Sequence, residues 1–370
     1  MRILIVRTSA LGDVVHALPV LTALRRHLPA ARIAWVVEEA MAPVLAGHPD
    51  LDELLVVRLR QWRRLSVQGI RELGGFFAAL NRFSPDVVLD LMGNHKAGVI
   101  SALTLADRRV GAARQHRREP SSAAWISQPV VPRGTHTVDR MLSLLDALGL
   151  PAEPADFGGE KLLREEPAQV REWLARHPQP FVLLHAGAGW ANKRYPPEWW
   201  GKAAQLLQAQ TGMPTWVAAA RGEEDLASGV AAASGGAARS VPAPDLATLA
   251  ALIRRARLML GGDSGPTHLA HALGTPVLML MGPTDPERHG PYGAPDHALY
   301  KRLPCSFCYQ RLDEAKACLL EIPPRRVAEK AAELLMTTLP TRPHPNPSPK
   351  GEGLEDAFNS PSPSGEGARG

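Results

Sequence analysis

The stretch ILIVRTSALGDVVHALPVLTALRRHLP, Ile3–Pro29, decides the fold. It opens on a run of buried-type residues, Ile3–Val6. It then breaks into a small-residue turn, TSALGD at Thr8–Asp13, and continues as an amphipathic helical segment, Val14–Leu28. Strand, ligand-sized loop and helix in that order begin a βαβ unit. The glycine signature of a dinucleotide-binding turn is missing. In its place stand Thr8, Ser9 and Gly12, small enough for a ligand to approach the backbone, and one acid, Asp13. An Asp before an apolar helix caps it by accepting backbone N–H groups. A carboxylate facing a cleft takes a proton from an attacking sugar hydroxyl. The stretch leaves both roles open.

The same alternation continues outward. Ile33–Val37, Leu54–Val57 and Val87–Leu91 read as buried strands, with helices at Met41–Ala46 and Ile70–Asn81 between them. Parallel strands with helical crossovers form a doubly wound sheet. A helix at Met141–Leu148 ends at Gly149, and LPAEPADFGGE, Leu150–Glu160, reads as a linker. The pattern then restarts. Strands are expected at Phe181–His185, Thr215–Ala219, Leu258–Leu260 and Val277–Met281. Helices are expected at Pro197–Gln210, Leu246–Arg254 and Thr267–Leu273. The expectation is two Rossmann-like α/β domains, 1–155 and 156–340, facing across a cleft where ligands bind. A final helix, Val327–Leu335, is expected to pack near the domain junction. Residues 341–370 are rich in Pro, Gly and Ser, with PSPKGEG at Pro347 recurring as PSPSGEG at Pro361, and read as a disordered tail.

At 370 residues the chain has room for two domains, each with its own core. No apolar run reaches the roughly 18–20 residues of a membrane span. The opening MRILIVR lacks the regions of a secretory leader, so a cytoplasmic protein is expected. Three cysteines argue against a disulfide framework. The net charge of +5 is unevenly spread: Arg58, Arg60, Arg63 and Arg64 form one cluster, and Arg108, Arg109, Arg114, Arg117 and Arg118 another. These read either as a solvated surface or as a platform for an anionic substrate or membrane surface. Scarce aromatic residues and the lack of a recognised motif speak against nucleic acid.

Three further places bear chemistry. HAGAGWANKRYPPEWW, His185–Trp200, runs from strand end through a loop with Gly187 and Ala188 to Lys193 and Arg194, cations suited to a diphosphate. GGDSGPTHLAHALGTPVLMLMGPTDPERHGPYG, Gly261–Gly293, gathers Asp263, Ser264, Gly265, Thr267 and His268 where a strand hands over to a helix, a place that favours an anion. CSFCYQRLDEAKAC places Cys305, Cys308 and Cys318 in an incomplete metal pattern, read as free thiols with no metal.

On these residues the chain resembles the family-nine glycosyltransferases, the ADP-heptose:lipopolysaccharide heptosyltransferases. The likeness runs from ILIVRTSALGDVVHALP through GGDSGPTHLAHALGTPVLMLMGPTDP, all but the tail. TSALGD, WVVEE, RQWRR and RREPSSAAW look more like heptosyltransferase I than II, whereas HAGAGWANKR looks more like the second enzyme. The resemblance implies the GT-B arrangement, an N-terminal acceptor domain and a C-terminal ADP-heptose domain. It implies inverting, metal-independent and cofactor-free transfer of L-glycero-D-manno-heptose to Kdo of the inner core (Kdo-lipid A), at the cytoplasmic face of the inner membrane. Carried over, Asp13 is the catalytic base and Lys193 holds the donor diphosphate. Asp263 contacts the donor sugar, and Ser264, Gly265 and His268 lie around the phosphates. Thr267, Gly187, Ala188 and Gly12 complete the substrate-binding set. Glu223 matches an acid near the ribose, with Glu224 its rival in AAARGEED. Two other readings stand beside this one: a GT-B enzyme with another nucleotide sugar or acceptor, and a non-catalytic nucleotide-sugar-binding protein.

Overall fold

The structure, a computed structural model, describes residues 1–58, 62 and 66–337. The expected tail, and Arg60, Arg63 and Arg64, lie outside the described residues. The first half runs β1 (Arg2–Val6), α1 (Leu11–His27), β2 (Arg32–Glu38), β3 (Glu53–Val57), α2 (Val67–Phe83), β4 (Val87–Asp90), α3 (His95–Leu103), β5 (Arg108–Ala112), β6 (Gln128–Val130) and α4 (Thr137–Leu142). Its strands pair in parallel in the order β3-β2-β1-β4-β5-β6.

The second half runs α5 (Ala168–Arg176), β7 (Val182–His185), α6 (Pro197–Thr211), β8 (Thr215–Ala218), α7 (Glu224–Ala233) and β9 (Ala238–Ser240). It continues with α8 (Leu246–Arg255), β10 (Leu258–Gly262), α9 (Gly265–Ala272), β11 (Val277–Met281), β12 (Ala298–Tyr300) and α10 (Pro324–Thr337). Its order, β12-β11-β10-β7-β8-β9, repeats the first sheet's, again all parallel. In each half the winding reverses between the first and fourth strands, and such switch points receive ligands at the strands' carboxyl ends.

Strands β5, β6, β9 and β12 escape a reading by apolar runs. RRVGA, QPV, ARS and ALY are short or polar, as strands toward a sheet edge can be. Met41–Ala46 is a 3₁₀ turn followed by the four-residue helix Ala42–Leu45. Met141–Leu148 divides into the end of α4 and a 3₁₀ segment, Ser143–Leu148, which closes on Gly149 at φ +70°.

Three expectations need correction. Helix α1 is not amphipathic in burial: every residue from Val14 to Leu24 is buried. The cause is tertiary, because α1 lies between its own sheet and α9 of the other half. Each half keeps a cluster of its own, around Leu4, Val36 and Leu80 in the first and Val182, Trp200 and Leu260 in the second, while a third continuous cluster joins Ile5, Leu18 and Trp35 to Leu252, Met259 and Leu269. Helix α10 does not pack near the junction. Its Val327, Ala331 and Leu335 pack with Trp200 and Leu207 in the second half's other cluster. The proline-rich linker is itself packed: Phe157 makes edge contacts with His271 and Tyr292, and Gly159 lies against the Ala272 carbonyl where a Cβ has no room. Among the described residues no helix is long and apolar enough to cross a membrane.

Candidate functional site at the two switch points

The loops after β1 and β4 meet at the first switch point, where the Thr8 hydroxyl reaches Met92 Sδ at 3.4 Å. Asp13 is the third residue of α1, and Ala10 occupies the N-cap position. One carboxylate oxygen accepts from the Ala10 N–H at 3.2 Å, and the other lies 2.5 Å from Arg7 Nη2. Asp13 is thus not the N-cap residue, yet it satisfies a free amide at the helix start. Its side chain stays 39% exposed, open to a ligand. Arg7 was missed by the sequence reading. Its guanidinium also donates to the Leu91 carbonyl, and its own carbonyl accepts from Trp35 Nε1 at 3.0 Å. An arginine at the end of a buried strand, six residues before an acid, was the available signal.

The second switch point lies between β7 and β10. Asp263 is buried there and held by three partners: Oδ1 meets His268 Nε2 at 3.0 Å, and Oδ2 meets Lys193 Nζ at 2.5 Å and the Thr284 hydroxyl at 2.6 Å. Burial works to raise its pKa, but the His268 hydrogen bond and the Lys193 ammonium hold the carboxyl far below its usual range. Three of about four lone-pair sites are taken, leaving one for a ligand. Lys193 also sits 4.4 Å from the centre of the Trp190 ring. Thr267 lies behind this turn. It is fully buried, its hydroxyl lies 3.1 Å from Ser264 Oγ, and it fills the space a Gly261 Cβ would need. In this place it holds the turn. Ser264 is the N-cap residue of α9, and Pro266 offers no N–H, so few amides are free at this helix start.

These two points come together. A Cβ on Gly12 would lie 2.8 Å from His268 Cδ2, and one on Gly265 would lie 2.6 Å from Leu11 Cβ. In this arrangement both glycines serve the close approach of α1 and α9. His16, also unforeseen, lies 3.1 Å from His268 Nδ1 through its Nε2. Nearby, His136 Nε2 bonds the Gly290 carbonyl at 3.0 Å, and Thr137 Oγ1 donates to the Arg288 carbonyl at 3.1 Å. Burial lowers the pKa of His16, His136 and His289, the last to about 4.

Around the β7 loop, Glu223 stands directly over Gly187 and accepts from Arg194 Nη2 at 2.6 Å. Arg194 also donates to the Ala188 carbonyl at 2.9 Å, so it braces this loop. Ala188 is buried. Glu224 turns back to accept from the Gly222 N–H at 2.8 Å. Beyond it a cavity of about 270 Å³ is lined by Ala219, Glu224, Ser228, Ser240 and Pro242. No residue of this cavity except Glu224 was singled out from sequence, because small and apolar side chains carry no chemical signature.

The arginine platform is corrected residue by residue. Arg117 is fully buried against Asp90 at 2.5 Å, Arg108 and Arg109 donate to backbone carbonyls, and Arg58 pairs with Glu39 at 2.7 Å. Among the described residues, Arg114, Arg118, Arg140 and Arg288 enter no ion pair with a carboxylate. Arg140 Nη2 meets His116 Nδ1 at 3.4 Å, and burial together with Arg288 lowers its pKa. Cys305 and Cys308 are exposed free thiols. Cys318 is a half-buried one whose pKa is raised by burial and by the other two. Among the described residues no group of three His, Cys, Asp or Glu side chains is placed to hold a metal ion.

With this geometry in view, residues 75–319 match the family model of glycosyltransferase family 9 (heptosyltransferase). The chain belongs to glycosyltransferase family 9. It is 32% identical over 359 residues to lipopolysaccharide heptosyltransferase 1 of Pseudomonas aeruginosa, covering 91% of this chain and 98% of that one. Among solved structures it is similar to the E. coli heptosyltransferase WaaC with ADP, at TM-score 0.75 and 26% identity over 90% of this chain and all of that one. It is likewise similar to WaaC with ADP-2-deoxy-2-fluoro heptose, at TM-score 0.72 and 26% identity over 90% and 99%. This family 9 enzyme is a glycosyltransferase of GT-B architecture, its two sheets facing one shared junction.

Proposed function

We infer that this enzyme transfers heptose from ADP-heptose to the lipopolysaccharide core, with Kdo of Kdo-lipid A as acceptor, by an inverting and metal-independent route. The observation that carries the reading is the meeting of α1 and α9. It packs Gly12, the neighbour of the exposed Asp13, against His268 of the Lys193–Asp263–His268 cluster of the other half. The heptosyltransferase 1 relative and the WaaC structures with ADP and a fluoro-heptose donor support the choice of substrates. Residues 1–155 are taken as the acceptor unit and 156–340 as the donor unit.

Asp13 takes the proton from the acceptor hydroxyl as its oxygen bonds the anomeric carbon. The bond from that carbon to the ADP oxygen breaks on the opposite face, and its electron pair leaves with the diphosphate. General-base assistance of this kind contributes about 10²–10⁴-fold. Lys193 and the Ser264 and Gly265 amides face the growing negative charge, and preorganised donors contribute about 3–4 kcal/mol each. Glu223 braces the Gly187–Ala188 loop beside the diphosphate, and the cavity at Ser240 and Pro242 takes the nucleoside. Arg114, Arg118, Arg140 and Arg288 supply cations for an acidic acceptor held at the cytoplasmic face of the inner membrane.

The test is incubation of purified protein with ADP-heptose and Kdo-lipid A, read by mass spectrometry. Addition of one heptose with stoichiometric ADP release supports the reading. Absence of both with active donor present overturns it.

A further inference from the structure

We propose that His16 is a positioning residue for the donor half of the site: a hydrogen bond donated across the junction to Nδ1 secures, together with Asp263 on Nε2, the tautomer of His268, which in turn holds Asp263 and, through it, Lys193. The inference rests on the donor reading above and adds a residue from the opposite half to that site.

The polarity of the chain of bonds follows from what each atom is able to do. Asp263 is an ionised carboxylate and only accepts, so His268 Nε2, 3.0 Å from Oδ1, carries the proton. The buried His16 ring has no partner at Nδ1, so its one proton sits on Nε2 and His268 Nδ1 accepts it. His16 Nε2, 3.1 Å away, is therefore the donor. His16 Nδ1 is buried without a partner, as a bare lone pair and not an orphaned N–H. Its surroundings keep the ring neutral: it is buried, and His268, His136 and His289 face it from α9, the start of α4 and the Arg288–Gly290 segment, with Asp263 as the one acid.

Reversing the His268 tautomer would set a lone pair against the Asp263 carboxylate. Asp263 would then turn, and Lys193 and Thr284, both on Oδ2, would lose their anchor. His16 stands three residues after Asp13, almost one helical turn, so both ride on the same part of α1. The contact of α1 with α9 thus bears on the base and on the donor site together.

The experiment compares wild type, His16→Leu and His16→Gln as full-length protein. Leu fills the buried site without a donor, whereas a Gln amide reaches the place of Nε2 and donates. Long-range ¹H–¹⁵N spectra of imidazole-labelled, ligand-free protein, assigned against His268→Gln, report the tautomer. A single Nε2–H form is expected in wild type and His16→Gln, and a mixture in His16→Leu. In the transfer assay kcat of His16→Leu should fall about 10–100-fold, by analogy with a small misplacement of catalytic groups, with recovery in His16→Gln. An unchanged His268 tautomer in folded His16→Leu overturns the proposal. So does a folded His16→Gln as impaired as His16→Leu, or a His16→Leu whose only defect is a lower Tm. If wild type transfers no heptose, the functional reading fails while the spectra still decide the role of His16.

Discussion

Gly12 of α1 and His268 of α9 are in such close contact that a Cβ on the glycine would lie 2.8 Å from the imidazole Cδ2. Helix propensity alone favours Ala over Gly by about 1 kcal/mol, but here the contact decides the sign. Gly12→Ala should push the helices apart and lower kcat by about 10²-fold, the cost of roughly 1 Å of misplacement. ADP affinity, measured by calorimetry, should fall as well, because the clash falls on His268, which bonds Asp263 beside Lys193. Wild-type turnover in this variant would remove the packing argument.

Asp13→Ala should reduce heptose transfer by about 10²–10⁴-fold and leave donor binding intact. The pair of measurements is single-turnover transfer and ADP-heptose titration. Retained transfer would return Asp13 to a purely capping role through its bond to Ala10 N–H.

Lys193→Ala should weaken ADP binding about 10–100-fold, the range of a lost hydrogen bond to a charged group. The variant also leaves Asp263 held only by His268 and Thr284. Unaltered ADP affinity would place the diphosphate elsewhere.

The buried histidines predict how stability varies with pH. Burial lowers His271 and His289 to about 4, against an ordinary value near 6.5. Between those limits the unfolded chain binds protons that the native rings refuse, so stability rises with pH. It is complete above about 6.5 and is lost as pH falls toward 4. Each ring contributes a slope of at most about 1.4 kcal/mol per pH unit. Thermal melts from pH 7 to pH 5 should show a falling Tm, with a shallower slope in His289→Asn. A flat profile would contradict the burial of these groups.

Arg288→Ala should raise the acceptor KM by about tenfold, as for one lost charged contact, and reduce the salt dependence of that KM. Arg117→Ala should instead unfold or strongly destabilise the protein, since it strands buried Asp90. Equal effects of both variants on acceptor KM, in folded protein, would revive the expected platform.

Much of this enzyme is legible in its chain. Apolar runs such as Ile33–Val37 and Val277–Met281 bury on both faces, and their alternation with helical segments dictates a parallel sheet before any contact is known. Gly261–His268 compresses strand end, turn and helix start into eight residues, so its chemistry is local and readable. Only the tertiary structure decides what lies between the halves. The burial of α1 from Val14 to Leu24 is tertiary in origin, and the contact of Gly12 with His268 and the bond from His16 join residues about 250 positions apart. The same is true of the arginines: Arg117 and Arg118 are adjacent and identical in type, yet one is sealed against Asp90 and the other exposed. Periodicity records which residues avoid water, whereas the partner each one finds depends on how two sheets dock, and no local pattern encodes that.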